Sequence, residues 1–164
     1  MPVRSLAYMS TAVNRPSSAE IDHLLTRARR RNEGEQVTGM LLYDEGTFFQ
    51  VLEGPHEGVE RIYAAVLADN RHQNVFKMVD EKVHSRDFGG WSMAYKAIEV
   101  GVVTADPSFA EKLSNPPEDL SAAHFLLAQF WNGGLGSRYN AVRGERPTTA
   151  VADALAASRL LRPA

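Results

Sequence analysis

The chain has 164 residues, 44% of them hydrophobic and 23% charged, an ordinary globular composition that excludes bulk disorder. Its formal net charge of −2 argues against a dedicated nucleic-acid binder, and the absence of cysteine excludes disulfides, thiolate metal sites and Cys nucleophiles. No apolar run approaches the roughly 18 residues of a spanning helix, and the opening segment reads as a strand rather than a signal peptide, so a cytoplasmic protein without a membrane partner is expected.

Residues 3–10 alternate as a strand, with Leu6, Tyr8 and Ser10 on one face and Ser5, Ala7 and Met9 on the other. After a turn-rich stretch, Ser17 and Glu20 have the spacing of a helix capping box. Ile21, Leu24, Leu25 and Ala28 form the apolar stripe of that helix, which runs to about Asn32 with Gly34 as a stop. Two apolar runs, residues 37–43 and 47–53, flank Asp44-Glu45-Gly46 and predict a hairpin. Gly54-Pro55 opens a second helix with the stripe Val59, Ile62, Tyr63, Val66 and Leu67, ending near Asp69 and Asn70. A strand over about residues 75–86, the Gly89-Gly90 turn and a last strand over residues 91–98 complete the order βαββαββ. Both crossovers can then be right-handed, with both helices on one face. The expected fold class is α+β, a ferredoxin-like sandwich with a five-stranded mixed sheet over residues 1–98.

Beyond residue 98 the texture changes to a helical extension, residues 99–164. Pro107, Pro116 and Pro117 break the chain. A helix over about residues 119–132 carries Phe125, Leu126, Leu127, Phe130 and Trp131, too many apolar groups for a free surface. It must pack on the sheet or on another chain, which raises the expectation of a homo-oligomer. A further Ala-rich helix is expected over about residues 149–161.

Several polar residues stand out. Gln50 shares a strand face with Phe48 and Leu52, where an amide must satisfy two donors and an acceptor oxygen. It is either a core glutamine bonded to backbone or water, or a group that addresses a polar ligand edge. Tyr8 is either a packing residue or a redox one, and from the strand expected to pair with that of Gln50 its side chain could project toward the same helix-covered face. Arg31 and Asn32 close the first helix, where cations suit the dipole, or where an amide and a guanidinium could grip a heterocycle. Asp69, Arg71 and His72 end the second helix as a solvated turn or as the mouth of a cleft. The five histidines show no metal-ligand spacing, no nucleophile elbow accompanies Ser10 and His72, and no Gly-rich phosphate loop exists. Trp91 and Met93 start the final strand as an edge anchor and a core filler.

In this order and spacing, these residues resemble the BLUF family, the bacterial sensors of blue light using FAD. The resemblance rests on Leu6, Tyr8 and Ser10, on Ala28, Arg29 and Asn32, and on the run from Val37 to Tyr43. It continues through Phe48-Phe49-Gln50-Val51-Leu52-Glu53-Gly54, Asp69 with Arg71 and His72, and Trp91-Ser92-Met93. The resemblance implies a flavin, FAD by family habit with FMN or riboflavin as alternatives, inserted between the two helices. It implies Tyr8 as light-driven electron and proton donor and Gln50 as the switch amide. Asn32 would fix the pyrimidine edge, and Ile21, Leu24, Leu41, Phe48 and Leu52 would wall the ring. Arg31, Asp69, Arg71 and His72 would lie toward the sugar and phosphates. Ser10, Trp91 and Met93 would relay the signal to a downstream protein partner, with the tail setting oligomerisation. Two other classes compete: a small flavin-dependent enzyme, and a light-indifferent assembly module. An enzyme needs an acid or base facing an open pocket, for which His72 is the best offer. An assembly module has no need of Tyr8, Asn32 and Gln50 together.

Overall fold

The computed structural model describes residues 2–44, 46–90, 94–97 and 121–131. Strands β1 (Val3–Ala12), β2 (Thr38–Asp44), β3 (Thr47–Gly54), β4 (His72–Val83) and the short β5 (Ala94–Ala97) form one sheet in the order β4-β1-β3-β2-β5. The pairs β4–β1, β1–β3 and β3–β2 are antiparallel, and β5 runs parallel to β2. Helices α1 (Ser18–Gly34) and α2 (His56–Leu67) lie on one face and α3 (Ala122–Trp131) on the other. The predicted helix over residues 149–161 lies outside the described residues, as do Trp91 and Met93.

Strand alternation sorts the core into two layers. Leu6, Tyr8, Leu41, Phe48 and Leu52 pack under Ile21 and Leu25 of α1 and Val59, Ile62 and Val66 of α2. The alternate residues Ala7, Met9, Met40, Leu42, Phe49 and Val51 pack against Ala123, Leu126, Leu127 and Phe130 of α3. Phe125, Leu126, Leu127 and Phe130 of α3 therefore cover the chain's own sheet, and their apolar surface gives no ground for expecting a homo-oligomer.

Local chemistry explains the boundaries. Ser17 caps α1 by accepting the Glu20 N–H, and the Glu20 carboxylate accepts the Ser17 N–H at 2.7 Å, so both halves of the capping box form. Gly39 lets β2 approach β3, because a Cβ there would lie 2.0 Å from the Val51 carbonyl oxygen. β4 starts at His72, three residues earlier than its alternation suggests. The reason is a pair of register shifts against β1, one of them beside Asn74, whose φ of 52° is the left-handed conformation typical of a turn. Arg4 is buried on β1 and joins Asp80 of β4 through two bonds of 2.7 and 2.8 Å, and also joins Glu60 of α2. This pins α2 across the central strands.

Glu53, given no role of its own by the sequence, is fully buried. Burial pushes its carboxyl up to about 7, against the backbone N–H groups of Phe88 and Asp87, which favour the ionised form. A carboxyl raised in the folded state stabilises most below its unfolded value, and that contribution is lost as pH rises through the folded value. Relative to a Glu53→Gln variant, the wild type should thus lose on the order of 3 kcal/mol between about pH 4 and about pH 8. Urea titrations of both proteins at the two pH values test this, and parallel pH profiles would contradict it.

Candidate functional site

β1 and β3 are neighbours at the centre of the sheet, and their register sets Tyr8 directly opposite Gln50. The Tyr8 hydroxyl donates to Gln50 Oε1. Tyr8 is 1% exposed and Gln50 7% exposed, so the pair is nearly sealed from water. Burial raises the Tyr8 pKa well above that of an ordinary phenol, while the charge of Arg31 pulls in the opposite direction. Tyr8 therefore remains a neutral hydrogen-bond donor throughout the physiological range. The Tyr63 ring of α2 stands 5.7 Å away, tilted by 54°. Its place on the α2 stripe was legible in the sequence, but its contact with Tyr8 depends on how α2 seats on the sheet.

Asn32 is buried on the α1 face shared with Ile21, Leu25 and Ala28, the helical spacing that points toward the sheet. Its backbone carbonyl accepts the Glu35 and Val37 N–H groups at 3.1 and 2.8 Å, which fixes the end of α1. Arg31, its neighbour, is exposed. The front layer thus holds two buried side-chain amides and the Tyr8 phenol, with Tyr43 and Tyr63, among aliphatic and aromatic groups. Ile21, Leu41, Phe48 and Leu52 are buried in it, and Leu24 packs at its margin.

Beside this layer is a cavity of about 550 Å³. Val13, Pro16, Leu24, Phe48, Arg71 and His72 are among its walls, so Phe48 and Leu24 belong to both cavity and core layer. Ser10 Oγ and His72 Nδ1 are hydrogen-bonded at 3.0 Å, and the His72 ring lies 5.0 Å from that of Phe48. Burial lowers the His72 pKa below the usual imidazole value, with Asp69 raising it and Arg71 lowering it in smaller measure. His72 is accordingly neutral at pH 7 and suited to polar contact. Arg71 grips Asp69 through its side chain, at 2.5 Å for the closest pair, and through its backbone N–H at 3.0 Å. That bond holds the Asp69 carboxyl down at about 2.

The structure therefore brings Tyr8, Gln50, Ile21, Leu41, Phe48 and Leu52 into one layer, with Asn32 buried on the covering helix. It sets Leu24, Arg71 and His72 around the adjoining cavity, with Asp69 bonded to Arg71 and Ser10 bonded to His72. Among the described residues no helix is long and apolar enough to cross a membrane, and no group of three or more His, Cys, Asp or Glu side chains could hold a metal ion.

Comparison with known proteins adds to this geometry. The family model described as sensors of blue-light using FAD matches residues 3–94. The blue light- and temperature-regulated antirepressor BluF of Escherichia coli is 38% identical over 85 residues, 52% of this chain and 21% of that protein. Subunit alpha of the photoactivated adenylate cyclase of Euglena gracilis is 32% identical over 103 residues, 63% of this chain and 10% of that protein. The chain matches about a fifth or less of the length of these relatives. Among solved structures, the dark-state structure of BlrB, a BLUF protein, superposes with a TM-score of 0.60 at 28% identity, covering 79% of this chain and 97% of that one. A calcium and cyclic-diGMP complex of Klebsiella pneumoniae BlrP1 superposes with a TM-score of 0.70 at 26% identity, over 88% of this chain and 37% of that one.

Proposed function

This chain belongs to the BLUF family, the flavin-binding sensors of blue light using FAD, and on that premise we propose that its light response is carried by Tyr8 and Gln50. The observation that carries the reading is the buried hydrogen bond between these two side chains, which face each other across adjacent central strands.

The donor set suits a flavin ring. Its heterocyclic edge alternates donors and acceptors, and buried amides at Asn32 and Gln50 can supply the complement. Ile21, Leu24, Leu41, Phe48 and Leu52 supply apolar walls, with α1 and α2 on either side. Arg31, Arg71 and His72, with Asp69 orienting Arg71, are the proposed contacts to the sugar and phosphates, and of these Arg71 and His72 line the cavity. FAD is the proposed form, with the proposed sensor domain spanning residues 1–98 and a helical extension over residues 99–164.

Bound flavin supplies blue absorption and, once excited, a demand for an electron. Tyr8 meets that demand best as a neutral phenol, because releasing electron and proton together avoids an unpaired charge in a water-poor site. Gln50 lies in the path of that proton. Its amide can exchange the places of oxygen and nitrogen, and so re-pair its hydrogen bonds with little movement of heavy atoms. When the electron and proton return, Tyr8 is unchanged and no product has formed, which suits sensing rather than turnover. Ser10, Trp91 and Met93 are the proposed relay. The Escherichia coli relative is named an antirepressor, and contact with another protein is the output proposed for this chain.

The first test is the cofactor. Purified protein should be yellow, and chromatography of the released pigment should identify FAD. Asn32→Ala should weaken flavin binding about tenfold, the equivalent of losing one well-made buried hydrogen bond. Colourless protein that no flavin restores would contradict the reading.

A further inference from the structure

We propose that Glu53 is a positioning residue that latches β3 to the segment following β4 and to the start of α3, so that the state of Gln50 reaches the back of the sheet through it. The proposal rests on the role given to Gln50 above.

Gln50 and Glu53 lie three residues apart on β3, and alternation sends them to opposite faces. Gln50 joins Tyr8 under α1 and α2, while Glu53 reaches the α3 side. Glu53 is 0% exposed. A buried carboxylate persists only where strong hydrogen bonds hold it. Here it accepts the backbone N–H of Phe88 at 2.9 Å and that of Asp87 at 3.2 Å.

Asp87 extends the line. Its carboxylate accepts the Ser121 hydroxyl at 2.5 Å and lies 3.5 Å from His124 Nδ1. Ser121 in turn caps α3 by accepting the His124 N–H at 3.1 Å. Glu81 of β4 accepts the Ala122 N–H at 3.0 Å, and the buried Phe88 ring stands 5.2 Å from that of His124. Residues 87 and 88 are thus held by β3 on one side and hold the first turn of α3 on the other. Even a small shift of β3 that accompanies the re-pairing of Gln50 would be felt at α3 through this chain of bonds.

The test is hydrogen exchange of the full-length protein in darkness and under blue light, with the flavin spectrum recorded in the same samples. In darkness at about pH 8, where the Glu53 carboxyl is ionised, Glu53→Gln should raise exchange of the α3 amides by about tenfold, the effect of weakening one charge-assisted bond. Under light, the wild type should show a change in α3 exchange that Glu53→Gln lacks, although the variant keeps its spectral shift. A residue with a merely structural role would alter exchange equally in light and dark. Ser121→Ala cuts the same line at the surface end and should give the same separation of spectrum from helix, so it decides the matter if Glu53→Gln does not fold. A variant with the wild-type light-to-dark difference at α3 would overturn the latch, as would a wild type that shifts its spectrum without any change at α3. Absence of any spectral shift in the wild type strikes the photosensor reading instead, and the latch then stands or falls on the dark-state exchange.

Discussion

Tyr8→Phe should leave a folded, flavin-coloured protein whose spectrum no longer responds to blue light. The substitution keeps the ring that fills the front layer and its tilted contact with Tyr63, so the core volume is unchanged. What it removes is the hydroxyl that donates to Gln50 Oε1. Leaving that buried acceptor without its donor should cost about 1–3 kcal/mol of stability, tolerable for a domain of this size. The photochemical loss should be complete, since phenylalanine has no acidic proton and is far harder to oxidise. In the wild type the response should persist to about pH 10, because burial keeps the Tyr8 phenol protonated where an exposed one ionises. A normal photocycle in Tyr8→Phe would remove Tyr8 from its proposed role.

The second large effect concerns α3. Phe130 is fully buried, 5.4 Å from the ring of Phe49 on the face of the sheet opposite Tyr8. Phe130→Ala should destabilise the fold by about 3–5 kcal/mol, a large part of the net stability of most domains. Because the lost contacts lie behind the sheet, the folded fraction should keep its flavin and its spectral shift. Urea denaturation followed by far-UV circular dichroism reads the first effect, and difference spectroscopy reads the second. Removing residues 121–164 should be harsher still, uncovering Met9, Leu42, Phe49 and Val51 together and driving aggregation. A truncated protein that stays soluble with an unchanged urea midpoint would show that α3 is not part of the core.

Much of this was legible in the sequence because strand alternation acts locally. Leu6, Tyr8 and Ser10 separate from Ala7 and Met9 by position alone, and the structure places Leu6 and Tyr8 in the layer opposite Ala7 and Met9. Ser17 and Glu20 announce the start of α1 because capping depends on a spacing of three residues. The rest depends on contacts that no local pattern encodes. The start of β4 was hidden by Asn74, a turn-forming residue inside a bulged strand. The stripe of α3 demanded a partner without saying which, and the sheet proved to be that partner. Glu53 shows in the sequence only as part of the β3 run, since the N–H groups that hold it come from residues 34 and 35 positions away. The mutual facing of Tyr8 and Gln50 required the β1–β3 register, which alternation on each strand leaves open.

The central claim is that a buried Tyr8–Gln50 hydrogen bond is the light-sensitive element beside a flavin, and the light-minus-dark absorption spectrum of the wild-type protein tests it most directly. The account predicts a small red shift of the flavin band after blue light, reverting fully in darkness and absent from Tyr8→Phe. A flavin-loaded wild type whose spectrum is the same before and after illumination, or one that bleaches without recovery, would contradict it.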